Sequence, residues 1–356
     1  MIKSDIQHVI IIQTAFLGDV VLTLPLIQRL KQQRPNVQID IVVIPGAATI
    51  CNNHPDIQSV IIYDKRGREK GVTNLFRLAA TLRRKNYDAA IIPHRSIRSA
   101  LLAWLARIPI RIGFDRSAGR LLMTETVPHR WILHEIERNL TLVKPLGISA
   151  SEKVLPRVYP TNEDARKVDK LLFELEIGNT KKMIALAPGS VWNTKRWLKE
   201  RFASLAVNFD DAGFEIVLIG GNEDIELCLA IHALSGSSKV YTTAGKLSLL
   251  QSAELIRRCK LLVSNDSAPT HIAVAMGTPV VTIFGATVPQ FGFSPAGPFD
   301  SVVQVQNLGC RPCSLHGGDK CPIKTFDCMV QISYEEVFAV ARKVLQQSAM
   351  ARLKTS

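Results

Sequence analysis

Short, wholly apolar runs alternate with stretches of helical apolar spacing along this chain, and that alternation leaves few folds open. Residues 8–13 contain the run Val9-Ile10-Ile11-Ile12, and further runs of strand length lie at 38–43, 59–63, 88–92 and 110–113. Between them the apolar spacing is helical over 20–34, stopped by Pro35, and again over 72–86, 96–106 and 134–146, the last ended by Gly147. A strand that is apolar at consecutive positions is buried on both faces. In an alternating chain this means a mostly parallel sheet covered by helices.

The second half repeats the pattern. Residues 151–182 are polar, with Pro156 and Pro160, and read as a linker plus one helix. Strands are predicted at 183–187, 214–219, 261–264 and 279–284, and helices at 199–211, 223–234, 249–259, 268–276 and 334–347. The expected architecture is α/β: two doubly wound domains in tandem with a cleft between them. Ligands of such sheets bind outside the carboxyl ends of the strands. The predicted division is residues 1–155, a linker at 156–182, a second domain at 183–333 and a terminal helix at 334–356.

Composition agrees with a two-domain globular chain. Its 356 residues are 47% hydrophobic, which excludes a disordered or collagen-like protein. The longest apolar candidate for a membrane span, near 15–26, contains Asp19 and Pro25, and Val9–Ile12 is too short for a signal-peptide core. A soluble, cytoplasmic protein is expected. Seven cysteines, an odd number with Cys51, Cys228 and Cys259 scattered, argue against a disulfide framework. The net charge is +13, and residues 1–150 hold 21 Lys+Arg against 11 Asp+Glu, whereas the remainder holds 23 against 20. A basic first half fits an anionic partner or a basic solvated surface.

Four stretches carry possible chemistry. Thr14–Asp19 joins the first strand to its helix. Gly18 there suits a tight turn or close ligand approach, and Asp19 suits either a helix N-cap or a catalytic carboxylate. No G-x-G-x-x-G fingerprint is present. Pro188–Trp197 follows the first strand of the second half. Its small and hydroxyl residues, with Lys195, suit a phosphate group or an ordinary polar loop. Ser264–His271 follows a strand and opens a helix with Pro269 in the first turn. That helix start suits an anion, or Asp266 or Ser267 is a cap and His271 a core residue. Cys310, Cys313, Cys321 and Cys328 fall within 19 residues as C-x2-C-x7-C-x6-C, the composition of a zinc knot, a redox pair or packed thiols.

These stretches, together with Gly220-Gly221-Asn222-Glu223, the G-T-P-V-V-T-I-F-G run at 277–285 and the Cys-x-Pro-Cys segment at 310–313, fall in an order that resembles the glycosyltransferase family 9 heptosyltransferases of lipopolysaccharide core assembly. The resemblance spans about residues 8 to 345. It implies a GT-B fold, with two facing Rossmann-like domains and a last helix crossing back to the first. It also implies transfer of heptose from ADP-heptose with inversion, to a lipid A–Kdo acceptor at the cytoplasmic face of the inner membrane. By resemblance Asp19 is the general base, and Lys195 and Ser190 contact the diphosphate. Asp266, Ser267, Ala268 and His271 hold the rest of the nucleotide diphosphate, Glu223 the ribose, and Leu247 packs on the adenine. Where the family often has Thr-Gly after the donor-loop aspartate, this chain has Ser267-Ala268.

An ADP-sugar arrives with a good leaving group, so the enzyme has to stabilise charge on the departing phosphate and deprotonate the acceptor hydroxyl. No D-x-D pair lies near the donor loops, so no cofactor is implied as obligatory and zinc at the cysteines stays optional. Arg95 and Arg98 follow the fourth strand, and Arg116 and Arg120 form another basic pair. With Gly18, Arg95, Arg98 and Arg120 are the candidate acceptor contacts, or else solvated surface arginines. Another nucleotide-sugar enzyme of the same fold is the main rival reading. A nucleic-acid binder is disfavoured, because aromatics are only 6% and no nucleic-acid motif is present.

Overall fold

The computed structural model of the chain describes residues 6–65, 67, 69–152, 154–178 and 180–355. It divides into two compact units at Tyr159/Pro160. In the first unit the strands are β1 (His8–Ile12), β2 (Gln38–Val43), β3 (Ser59–Ile62), β4 (Ala89–Ile92), β5 (Ile110–Phe114) and β6 (Glu125–Val127). The helices are α1 (Leu17–Val21), α2 (Leu24–Gln33), α3 (Pro45–Cys51), α4 (Val72–Arg84), α5 (Ile97–Leu105) and α6 (Glu135–Thr141). All pairings are parallel, in the order β3-β2-β1-β4-β5-β6, with Val9 opposite both Ile39 and Ala89.

The second unit has helix α7 (Asn162–Glu174), then β7 (Met183–Ala187), α8 (Lys199–Asp211), β8 (Glu215–Leu218), α9 (Ile225–Ser235) and β9 (Val240–Thr242). It continues with α10 (Leu249–Arg258), β10 (Leu261–Asn265), α11 (Ala268–Met276), β11 (Val280–Phe284), β12 (Ser301–Gln304), α12 (Asp327–Val330) and α13 (Tyr334–Thr355). Its parallel sheet runs β12-β11-β10-β7-β8-β9, the same winding as the first. Both orders reverse direction beside the first strand of the unit, between β1 and β4 and between β7 and β10. That reversal is the topological switch point, where diverging loops leave a crevice.

Side chains alternate across each buried strand. Ile10 and Ile12 of β1, with Val42, Ala90 and Ile92, pack on Leu75, Leu78 and Leu82 of α4 and Leu102 of α5. In the second unit Ile184 and Leu186 of β7 join Phe202 and Phe209 of α8 and Val337, Ala341 and Val344 of α13. Thus the terminal helix packs on α8 and the β10–β12 side of its own sheet. Helix α7, within the segment read as a linker, starts from a Thr161/Asp164 capping box and packs on α10.

The helix expected over 20–34 is two helices. Pro25 cannot donate to a preceding turn and instead opens the first turn of α2, so the chain breaks at Leu22–Thr23. Phe209 is fully buried, edge-on to Phe214 and to Phe338 of α13 at 6.0 and 5.1 Å. Replacing it (Phe209→Ala) leaves a cavity that α8 and α13 cannot close. The expected cost is about 3–5 kcal/mol, read from denaturant unfolding of the second unit.

Candidate active site

The loop leaving β1 and the loop leaving β4 flank the switch point of the first sheet. Thr14 Oγ1 lies 3.1 Å from His94 Nδ1 and 3.2 Å from Ser99 Oγ, and accepts a 3.1 Å hydrogen bond from Lys65 Nζ. Arg98 Nη1 donates to the Lys65 carbonyl at 3.3 Å, so the ends of β1, β3 and β4 are joined by one polar network. Asp19 is the third residue of α1 and half-buried. The N-cap is Phe16, with no side-chain cap bond, so Asp19 is not the cap of this helix. Its carbonyl accepts from Thr23 Oγ1 at 2.8 Å, and Gly18 lies within the same helical turn, its carbonyl accepting from Leu22 N at 3.0 Å.

Helix α6 adds a buried charged group to this crevice. Asn139 Nδ2 donates to the Leu22 carbonyl at 3.2 Å, which fastens α6 to the end of α1. Glu135 lies 3.3 Å from Arg138 Nε in an i,i+3 pair with both side chains buried. Arg138 also donates to the Leu133 carbonyl at 3.0 Å and meets His129 Nε2 at 3.3 Å. A guanidinium only donates, so Nε2 accepts and the His129 proton sits on Nδ1. Burial, with the charges of Arg95 and Arg138, pushes the His129 imidazole down to about 4. Arg95 and Arg138 both lie over the Trp131 ring, at 5.0 and 5.7 Å from its centroid. Burial pushes the Glu135 carboxyl up to about 7; the negative charge of Asp19 adds to the rise, and Arg138 and Arg95 oppose it. Of the other predicted arginines, Arg116 and Arg120 are exposed, Arg120 on the short turn Arg120–Leu122 against α5.

At the second switch point Lys195 Nζ pairs with Asp266 Oδ2 at 2.6 Å and donates to the Asp266 carbonyl at 3.3 Å. Thr287 Oγ1, from the loop after β11, donates to the same carboxylate oxygen at 2.6 Å. Asn265 clamps the Pro188–Trp197 loop from both ends. Its Nδ2 donates to the Pro188 carbonyl at 2.7 Å and its Oδ1 accepts from Trp197 N at 3.0 Å. Ser190 is half-buried in that loop, its carbonyl accepting from Arg196 Nε at 2.7 Å.

Ser267 is the N-cap residue of α11 without a side-chain cap bond, followed by Ala268 and Pro269, and His271 is buried inside the helix. The carboxylate of Asp266 is held by Lys195 and Thr287, so neither side chain offered as a cap serves as one. Glu223 is exposed and Leu247 half-buried, on the neighbouring loops after β8 and β9, which the Gly245 N to Gly220 O bond joins at 3.1 Å. Gly189 and Gly220 both abut Asp224, whose carboxylate a Cβ on Gly189 would overlap.

The cysteine segment has a structural role. Thr194 N donates to the Gly318 carbonyl at 3.0 Å, Gly318 N donates to Thr194 Oγ1 at 2.8 Å, and Arg311 donates to the Thr287 carbonyl at 2.6 Å. The segment therefore braces the loops that carry Lys195 and Thr287. All seven cysteines are free thiols. Among the described residues no group of three or more His, Cys, Asp or Glu is placed to hold a metal, so zinc, one of the three readings of Cys310, Cys313, Cys321 and Cys328, gains no support.

Sequence reading missed Lys65, His94, Ser99, Trp131, Glu135, Arg138 and Thr287. His94 and Thr287 had a signal, since they lie two and three residues past the ends of the apolar strands β4 and β11. Glu135 and Arg138 had none, because an i,i+3 ion pair on a helix is ordinarily a solvated pair. The raised Glu135 carboxyl fixes a pH dependence. The folded state keeps the proton to higher pH than the unfolded chain, so this contribution is complete below about 4.5 and is lost as pH rises through about 7. Glu135→Gln stays neutral and is expected to flatten a decline of about 3 kcal/mol, read from denaturant unfolding across that window.

A family model for glycosyltransferase family 9 (heptosyltransferase) matches residues 75–320. The chain is 27% identical to lipopolysaccharide heptosyltransferase 2 of Salmonella typhimurium over 295 residues, 80% of this chain and 84% of that one. Its fold matches a solved glycosyltransferase family 9 protein from Veillonella parvula with a TM-score of 0.87 at 25% identity, covering 97% of this chain and 99% of that one. It also matches the solved E. coli ADP-heptose lipopolysaccharide heptosyltransferase II with a TM-score of 0.78 at 23% identity, over 96% and 100% of the two chains. Two doubly wound units wound alike, with their motif loops at the switch points, accord with these matches: the chain is a GT-B-type α/β enzyme that belongs to glycosyltransferase family 9.

Proposed function

We propose that this glycosyltransferase moves heptose from ADP-heptose to the inner core of lipopolysaccharide, with Asp19 as general base and inversion at the anomeric carbon. The observation that supports this best is positional. The Asp19 loop lies at the switch point of the first sheet, and the Lys195 and Asp266 loops lie at that of the second. The names of the relatives supply the sugar and the acceptor class.

Asp19 accepts the acceptor hydroxyl proton, the oxygen attacks the anomeric carbon, and the bond to the β-phosphate oxygen breaks on the opposite face. The leaving diphosphate gains charge. Lys195 and the Ala268 N–H at the start of α11 meet it, and each well-placed donor of this kind is worth about 3–4 kcal/mol at the transition state. Lys195 is held in place by its ion pair with Asp266. Ser190 adds a donor, Glu223 takes the ribose hydroxyls and Leu247 packs on the adenine. Ser267, Ala268 and His271 line the donor helix start. Arg95, Arg98 and Arg120 take the anionic groups of a lipid A–Kdo acceptor, and Gly18 allows its close approach.

The enzyme works as a peripheral protein at the cytoplasmic face of the inner membrane. No described helix is long and apolar enough to cross a membrane. The test is sugar transfer from ADP-heptose to a lipid A–Kdo acceptor. Asp19→Ala is expected to lose about 10²-fold or more in kcat with ADP binding intact, as for removal of a positioned base. Lys195→Ala is expected to lose about 10²–10³-fold and to weaken ADP. Equal turnover by wild type and Asp19→Ala removes Asp19 from the chemistry.

A further inference from the structure

Helices α4 and α5 run side by side on the first sheet, and each leaves an apolar stripe in solvent. On α4 the stripe is Val72, Phe76 and Ala80, one turn apart, with Val72 64% and Phe76 53% exposed. On α5 it is Ile97, Leu101 and Trp104, with Ile97 58% and Trp104 49% exposed. The two stripes meet in a shallow groove where Phe76 and Trp104 share a wall with Arg83, Arg107 and Arg111. Burying large apolar side chains is the rule, so two aromatics this exposed on adjoining helices need a partner.

Charge narrows the partner. Residues 71–112 contain eight Lys and Arg and a single carboxylate, Asp88. Asp88 is engaged with the backbone, accepting from Gln7 N and His8 N at 2.9 and 2.8 Å. Among the described residues Arg83, Arg107 and Arg111 make no ion pair. Arginines at helix ends complement the helix dipole, yet this explains neither Phe76 nor Trp104. Arg111 is half-buried and donates to the Leu122 and Ile108 carbonyls, whereas Arg83 and Arg107 are exposed. Aromatic side chains that bury their rings, next to cations that stay in water, match the boundary of an anionic bilayer.

We propose that the α4–α5 face, through Phe76, Trp104 and the Arg83–Arg107 rim, is the surface by which this chain rests on an anionic phospholipid membrane. The inference rests on the reading of a lipid-borne acceptor. Helix α5 begins two residues after Arg95 and carries Trp104 roughly 11 Å further along, at 1.5 Å per residue. A headgroup-level sugar can then stand near the first switch point while the apolar stripe contacts lipid.

The test is flotation of the full chain with vesicles of phosphatidylcholine plus phosphatidylglycerol, against phosphatidylcholine alone, without donor or acceptor. Wild type is expected to float with the anionic vesicles and to release as salt rises. Phe76→Ser with Trp104→Ser, and separately Arg83→Glu with Arg107→Glu, are each expected to weaken binding at least about tenfold. Both double variants are expected to keep wild-type turnover on a short, lipid-free acceptor sugar, which shows that they are folded. Equal flotation of wild type and variants overturns the proposal, as does wild type that ignores the anionic lipid. A wild-type dimer in sedimentation velocity that Phe76→Ser with Trp104→Ser abolishes, without vesicle binding, assigns the face to a second copy and also overturns it. Vesicle binding that behaves as expected while wild type fails on the short acceptor leaves the membrane face standing and counts against the transfer reaction instead.

Discussion

Both units depend on a first strand that is buried on its two faces. In β1 the residues Val9 to Ile12, and in β7 all of Met183 to Ala187, are inaccessible to solvent or nearly so. Each accepts a parallel neighbour on either side, β2 and β4 in one case, β8 and β10 in the other. A parallel strand cannot be reached by a tight turn, so most steps pass through a covering helix, and only the edge strands β6 and β12 are reached through loops with a single short turn. Because the chain adds strands first to one side of the central strand and then to the other, the loops at its carboxyl end part. The site therefore follows from the winding, and the winding follows from where apolar surface can be buried.

The same position is furnished differently in the two units. In the first, cations predominate, and the buried carboxyl of Glu135 is accommodated by Arg138 and by retaining its own proton near neutrality. In the second, Lys195 is anchored by an aspartate that Thr287 also holds. A buried charge is tolerated when paired and hydrogen-bonded, and each crevice meets that condition by its own route. Asn265 and Arg311 do the supporting work, with no ligand-contacting role required of either: they fix the loops through main-chain carbonyls at Pro188, Thr287 and Val305.

Much of this was legible in the residues. The strands 38–43 and 183–187 and the helices 199–211 and 268–276 fall where the apolar spacing put them, because their cores bury a long, regular pattern. The strands left unread, β6, β9 and β12, have three or four residues and lie at sheet edges, so half their positions face water and the pattern thins. Helix α3 also went unread: it has seven residues and opens on Pro45-Gly46, a pair that does not mark a helix in sequence. The C-x2-C-x7-C-x6-C spacing left a metal, a redox pair and packed thiols open, because spacing says nothing of where thiols point. Backbone bonds to Thr194 and Thr287 turn that segment into a brace.

By itself the sequence determined the fold class, the tandem winding and the family, since apolar periodicity and ordered motifs are local properties of the chain. It also marked Asp19, Lys195 and Asp266, each in a loop that directly follows an apolar strand. Tertiary structure alone decided that Lys195 and Asp266 are ion-paired, that Asp19 is not a helix cap, and that Glu135 from a distant helix stands in the field of Asp19. The first and the last depend on through-space separations between residues 71 and 116 positions apart, the second on where α1 starts. The physical reason is that charge acts over a few ångströms of space, and only packing of the buried strands and helices fixes which side chains come that close.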